Sequence, residues 1–143
     1  KGLAAPVGSI VCGGEKFIYQ VRRNRKALGG GMRQAGILAA AGLLSLNLPE
    51  SQLLEDHKNA KLLAGGIVQI NGLTLNVKKV QTNIIYFGLN SPKLTGSQLV
   101  SKMENRGIKF FETSPNHFRL VTHYDVTKKD INIIIKKIEQ LIN

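Results

Sequence analysis

Tryptophan is absent from this chain of 143 residues, and cysteine occurs once, as Cys12. A single cysteine excludes an internal disulfide framework and a cysteine-based zinc site. Long hydrophobic runs are missing too. The longest, Ile37 to Leu46, is too short and too rich in Ala and Gly to span a bilayer. No basic segment leads into a long apolar one at the start, so no signal peptide is expected. These absences together predict a cytoplasmic protein with no membrane partner. Negative charge is scarce as well: nine Asp and Glu stand against 20 Lys and Arg, giving a formal net charge of +11 and a pI near 10.1. That balance raises nucleic acid, a membrane surface or small anions as partners. A nucleic-acid module wants its cations interleaved with exposed aromatics or placed on a groove-reading element. Here they are dispersed, so no nucleic acid is expected. The cation excess also fits a part of a larger protein whose remainder is acidic.

What is present is ordinary. Hydrophobic residues make up 43% and charged residues 20% of the chain, which rules out collagen-like, mucin-like and disordered classes. A mass of 15.6 kDa has room for one domain or two small lobes.

Hydrophobic periodicity supplies the elements. Pro6 to Cys12 is a short β-branched apolar run closed by Gly13-Gly14 and reads as a buried strand. From Glu15 the period becomes helical, with Phe17, Val21 and Leu28 on one face and Arg22, Arg23, Arg25 and Lys26 on the other, until Gly29-Gly30-Gly31. A second helix, from about Met32 to Leu46, is so uniformly small and apolar that burial on most sides is expected. Pro49 suits the first turn of a third, whose stripe is Leu53, Leu54, His57, Ala60, Lys61 and Ala64, loosened at Gly65-Gly66. Strands are expected over Thr82–Phe87, Ile108–Glu112 and Phe118–His123, with a helix over Ser97–Arg106. Ile131, Ile134, Ile135, Ile138 and Leu141 mark a last helix over Thr127–Ile142, opened by Thr127-Lys-Lys-Asp130, a capping box with Asp in the Glu place. The alternation predicts an α/β chain in two lobes.

No HExxH, Walker loop, GxGxxG or Gly-x-Ser-x-Gly occurs. Three features invite chemistry. Gly29-Gly-Gly-Met32-Arg33, with Lys26 before it, either offers backbone N–H groups and two cations to an anion or simply turns the chain between packed helices. Arg119, among strand residues, either faces solvent or holds an anion, because burying an unpaired guanidinium is prohibitive. His57 and His123 stand in no metal-ligand spacing, so no metal is expected.

The blocks Lys1-Gly-Leu-Ala-Ala-Pro-Val-Gly-Ser9 and Arg25-Lys-Ala-Leu-Gly-Gly-Gly-Met-Arg-Gln-Ala-Gly-Ile-Leu-Ala-Ala-Ala-Gly42 resemble the low-specificity L-threonine aldolases. Glu55-Asp-His-Lys-Asn-Ala60, Gln81-Thr-Asn83 and Arg119-Leu-Val-Thr-His-Tyr-Asp-Val126 match the same family in the same order and spacing, over nearly the whole chain. The resemblance implies a pyridoxal-phosphate-dependent transferase-like fold (fold type I). Residues 1–55 would end the large cofactor-binding domain and residues 56–143 would form the small C-terminal α/β domain. It implies an aldolase that cleaves threonine and allo-threonine to glycine and acetaldehyde with pyridoxal 5′-phosphate, acting as a homodimer or homotetramer on a small β-hydroxy-α-amino acid. Lys1 matches the lysine that carries the cofactor as a Schiff base, Lys26 and Arg33 match basic residues at the cofactor phosphate, and Arg119 matches the arginine that grips the substrate α-carboxylate. The family's serine before the lysine is not in this sequence, and Ala4 replaces its second motif glycine. In the family the ring-stacking residue, the carboxylate for the pyridine nitrogen and the phosphate-cradling loop lie upstream of the lysine, so these 143 residues by themselves are expected to be inactive. The alternatives are another fold-type I lyase or aminotransferase, a non-catalytic relative, and a basic binding module.

Overall fold

Two compact units share the chain, one running to Pro49 and one from Glu50 onward. The computed structural model describes residues 2–142. In the first unit, α1 spans Glu15–Ala27 and ends on glycine chemistry. The Gly30 N–H donates to the Arg25 carbonyl (2.8 Å) and the Gly29 N–H to the Lys26 carbonyl (3.2 Å), while Gly29 takes φ +78°. This Schellman arrangement satisfies the last carbonyls of the helix, and its left-handed residue is best supplied by glycine. Helix α2 covers Gly36–Leu46, starting later than its composition predicts because Gln34 stands at φ +49°, outside helical geometry.

Two expectations fail in this unit. The stretch from Pro6 to Cys12 forms no strand, and Val7, Ile10 and Val11 are exposed. A strand is completed by ladder partners, and no described residue pairs with this one. The apolar residues of α2 are not buried either. Ser45, which donates to the Ala41 carbonyl at 2.9 Å, is the only buried residue of the unit among those described, while Ile37, Leu43 and Leu44 are exposed. Uniform hydrophobicity marks a helix that needs cover on several sides. Within its own unit α2 and the stretch 2–10 line an apolar groove of about 700 Å³.

The second unit holds α3 (Ser51–Ile67), β1 (Leu73–Thr74), a short 3₁₀ turn (Val77–Lys79), β2 (Ile84–Leu89), α4 (Gly96–Glu104), β3 (Phe111–Ser114), β4 (His117–Val121) and α5 (Lys128–Ile142). Its sheet is wholly antiparallel with order β1-β2-β4-β3. Three expected strands are present, shifted by a few residues, and β1 is an addition that two residues could not announce. The division after Pro49 leaves α3 whole, whereas a boundary between residues 55 and 56 would cut it. Both α5 and β2, on which α3 packs, lie in the same unit.

Alternation builds the core. Ile85 and Phe87 of β2 and Phe118 and Leu120 of β4 point inward and are buried, with α3 and α5 over them. Phe87 and Phe118 stack at 4.9 Å between ring centroids, and Phe110 meets Phe118 edge-on at 5.6 Å. Such aromatic pairs add about 0.5–1.5 kcal/mol each beyond area burial. No single described helix is long and apolar enough to cross a membrane.

The buried stripe of α3 differs from the apolar one. Asp56, Asn59, Ala60, Leu63, Ala64 and Ile67 face inward, while Leu54 and Lys61 are exposed, and Pro49 precedes the helix instead of entering its first turn. Periodicity scored on apolar residues alone misses a face on which two polar side chains have partners. Gly65 and Gly66 lie inside the helix and separate cleanly. A Cβ at Gly65 meets nothing within 4 Å, whereas one at Gly66 falls 2.7 Å from Ile135 Cγ1 and 3.0 Å from its Cγ2, on α5. Gly65→Ala is therefore expected to stabilise by about 0.5–1 kcal/mol. Gly66→Ala is expected to destabilise, because overpacking costs about 1–3 kcal/mol against the same helix gain. Urea unfolding of the two variants checks the opposite signs.

The capping box of α5 forms as the sequence predicts. Thr127 donates from its backbone N–H (2.9 Å) and its hydroxyl (2.6 Å) to Asp130 Oδ2, and the Asp130 N–H donates back to Thr127 Oγ1 (3.3 Å). The Thr127 hydroxyl, then its N–H, and the Lys129 charge hold the Asp130 carboxyl below the usual carboxylate range against a small opposing effect of burial. Because the folded value is lowered, this cap contributes above the ordinary carboxylate pKa and its contribution is lost as pH falls through the lowered one. Thr127→Val is expected to raise the Asp130 titration midpoint in carbon-detected NMR. An unmoved midpoint overturns the assignment of cause.

Candidate carboxylate and phosphate site

Arg119 occupies β4, the strand flanked on both sides within the sheet, and belongs to the face that α3 and α5 leave open. It is half-buried, between inward Phe118 and Leu120. Register puts Tyr86 of β2 directly opposite it on one side and Phe111 of β3 on the other. Both aromatics are largely exposed, 60% for Tyr86 and 69% for Phe111. Among the described residues Arg119 forms no ion pair, and its Nε is the only buried side-chain nitrogen or oxygen without a hydrogen-bond partner. A solvated strand arginine does not hold its Nε buried and unpartnered. A buried donor left unmatched costs about 1–3 kcal/mol, so a guanidinium kept half-buried with no internal acid suits an external anion. An open cleft of about 610 Å³, lined in part by Thr74, Lys79 and His117, adjoins Tyr86.

The blocks that carried the resemblance fasten this strand. Thr122, just past β4, donates its hydroxyl to the Asp56 carbonyl of α3 at 2.7 Å and its N–H to the Asn83 carbonyl at 3.0 Å. Asn83 Nδ2 donates to the Thr122 carbonyl (2.7 Å), Asn59 Nδ2 to the Val126 carbonyl (2.9 Å), and Gln52 Nε2 to Asp56 Oδ1 (3.1 Å). The entry to β2, the exit from β4 and one turn of α3 are thus tied by side-chain-to-backbone bonds that set where Arg119 stands. Thr122→Val keeps the shape but leaves the buried Asp56 carbonyl without that donor, and a loss of about 1–3 kcal/mol is expected in thermal or urea unfolding. An unchanged stability removes Thr122 from this role.

In the first unit, Lys26 sits in the last turn of α1 and Arg33 precedes α2; both are exposed and neither forms an ion pair among the described residues. The glycine run does not open a helix toward an anion, since α2 begins only at Gly36. Its N–H groups close α1 instead. Lys26 folds along Gly31, where a Cβ would come within 3.0 Å of its Cδ. The structure brings Lys26 and Arg33 into one unit and Arg119 into the other. Lys1 lies outside the described residues. Ala4, where the aldolase pattern has glycine, takes φ +62°, the left-handed region that favours glycine. His57 is half-buried in α3, and exposed His123 approaches Asp125 at 3.8 Å; no group of three ligating side chains gathers among the described residues. Periodicity could not have singled out Tyr86 and Phe111, whose nearness to Arg119 is a matter of strand register.

A sequence profile of the beta-eliminating lyases matches residues 1–89. The chain belongs to that family. Among curated members, low-specificity L-threonine aldolase 1 of Arabidopsis thaliana is 41% identical over 143 residues, covering 98% of this chain and 39% of that protein. The low specificity L-threonine aldolase of Escherichia coli (strain K12) is 37% identical over 131 residues, covering 92% of this chain and 37% of that protein. The chain thus spans about two fifths of the length of these relatives. A solved structure of the cystine C–S lyase C-DES, in complex with its reaction product cysteine persulfide, superposes over 73% of this chain and 28% of its own, with a TM-score of 0.61 at 23% identity. That likeness establishes the expected fold, a mixed α/β chain of the fold-type I class.

Proposed function

We infer that the complete protein containing this chain is a pyridoxal 5′-phosphate-dependent aldolase that cleaves L-threonine and L-allo-threonine to glycine and acetaldehyde. The observation that carries the reading is Arg119: half-buried, with no acid partner among the described residues, and with an Nε that meets no protein acceptor. The names and identities of the aldolase relatives support the substrate class.

The residues present fit the cofactor by their chemistry. Lys26 and Arg33, exposed cations free of acid partners among the described residues, are suited to a dianionic phosphate, and Lys1 is the amine for its aldehyde. When bound, pyridoxal phosphate supplies a sink for the electron pair released as Cα–Cβ breaks. Arg119 takes the substrate carboxylate through two parallel N–H···O bonds and so fixes the orientation of Cα. The Lys1 amine would be suited to move a proton at the substrate Cα.

The protein is read as a homodimer or homotetramer. Supporting this, Leu43 and Leu46 of α2 are exposed beside the apolar groove of their unit, and apolar surface of this kind is ordinarily covered by further polypeptide. The test is to incubate the complete protein with pyridoxal phosphate and each threonine diastereomer and measure glycine and acetaldehyde in equal amounts. Amine transfer or loss of ammonia without acetaldehyde assigns it to a different fold-type I reaction.

A further inference from the structure

The open face of the sheet holds one pattern that the proposed reaction does not use. Tyr86, Arg119 and Phe111 form a row across β2, β4 and β3, each aromatic directly opposite the arginine. Residues directly opposite on antiparallel strands present their side chains on the same face, with Cβ atoms about 4.5–5.5 Å apart. Two large aromatics left 60% and 69% exposed are poorly placed to serve the core, which Phe87, Phe110 and Phe118 already fill from the other side. On the same strand row the Arg119 Nε is buried without a protein acceptor. A cation beside aromatic side chains is attracted to their π faces, and it binds an anion more strongly where water is excluded.

We propose that Tyr86 and Phe111 are positioning residues for Arg119. Directly opposite it on both neighbouring strands, they restrain its side chain, so that the planar fork meets a carboxylate already oriented. The role asks for aromatic surface at both positions, not for the Tyr86 hydroxyl. The inference rests on Arg119 binding the substrate carboxylate.

The test uses the complete protein loaded with cofactor, and reads KM and kcat for threonine together with the Kd of glycine by titration calorimetry. Tyr86→Ala and Phe111→Ala are each expected to raise KM and the glycine Kd by about 5- to 20-fold, with kcat changed by less than about twofold and the cofactor spectrum kept. Tyr86→Phe and Phe111→Tyr should retain parental values. On an Arg119→Ala background, removing either ring should add less than about twofold, because there is then no fork left to hold. Tyr86→Leu and Phe111→Leu serve where an alanine variant folds poorly, and should show the same rise in KM. Parental KM in the alanine or leucine variants, a rise at only one of the two positions, or an undiminished loss on the Arg119→Ala background overturns the proposal. A parental glycine Kd in Arg119→Ala itself overturns instead the carboxylate reading on which it rests.

Discussion

Lys1→Ala in the complete protein is expected to lower threonine turnover by about a thousandfold or more and to remove the visible absorbance band of lysine-bound cofactor. Two separate losses combine. The ε-amine is the only group at that position able to hold the cofactor aldehyde covalently, so without it the cofactor is retained only by non-covalent contacts such as those assigned to Lys26 and Arg33. The same amine is the one assigned to move protons at Cα, a role worth about 10²–10⁴ in rate by itself. Lys1→Arg separates these effects from charge: it keeps a cation but offers no amine that is neutral near pH 7, and should be as inactive as alanine. Gel filtration followed by absorbance reports how much cofactor remains, and initial rates at saturating cofactor report turnover. Parental turnover in either variant assigns the covalent attachment to another residue.

Legibility divides along the range of the interactions. Helix α5 and its cap were readable because Ile131 to Leu141 and the Thr127–Asp130 box are local, and hydrogen bonds within four residues complete the signal. The end of α1 was readable for the same reason, through Gly29. Helix α3 was found but its inward face was misassigned: the Asn59 side chain reaches the Val126 carbonyl 67 residues away, the Asp56 carbonyl accepts from Thr122 66 residues away, and the Asp56 carboxylate accepts from Gln52 within the helix. The apolar run at Pro6 to Cys12 shows the converse: a local strand signal remains unpaired when no described residue completes a ladder. Arg119 stood out as an arginine among strand residues, and the family pattern suggested its task. Its half-burial, its unpartnered Nε and its two aromatic neighbours depend on the register of β2, β3 and β4, which no short stretch of sequence contains.

Arg119→Ala is the variant in which those non-local features become measurable. Removing a charged, two-pronged contact to the substrate carboxylate is expected to cost about 2–4 kcal/mol, roughly 30- to 1000-fold in kcat/KM, while the cofactor spectrum stays intact. Two structural facts favour separation from a folding defect. Arg119 has no ion pair to lose among the described residues, and its Nε has no hydrogen-bond partner, so truncation breaks no side-chain bond among them. The strand itself is held by Thr122, Asn83 and the inward Phe118 and Leu120, which the substitution leaves in place. Stability should therefore be unchanged or slightly raised, since an unmatched buried donor is removed with the side chain. Arg119→Lys should recover only part of the lost kcat/KM, because an ammonium is a point charge that cannot reproduce the planar fork between two aromatic neighbours. Kinetics with threonine, absorbance of the cofactor and urea unfolding, measured side by side on both variants, discriminate the outcomes. A near-parental kcat/KM for Arg119→Ala returns this residue to an ordinary strand arginine, and a collapse of stability would make it a residue of the fold.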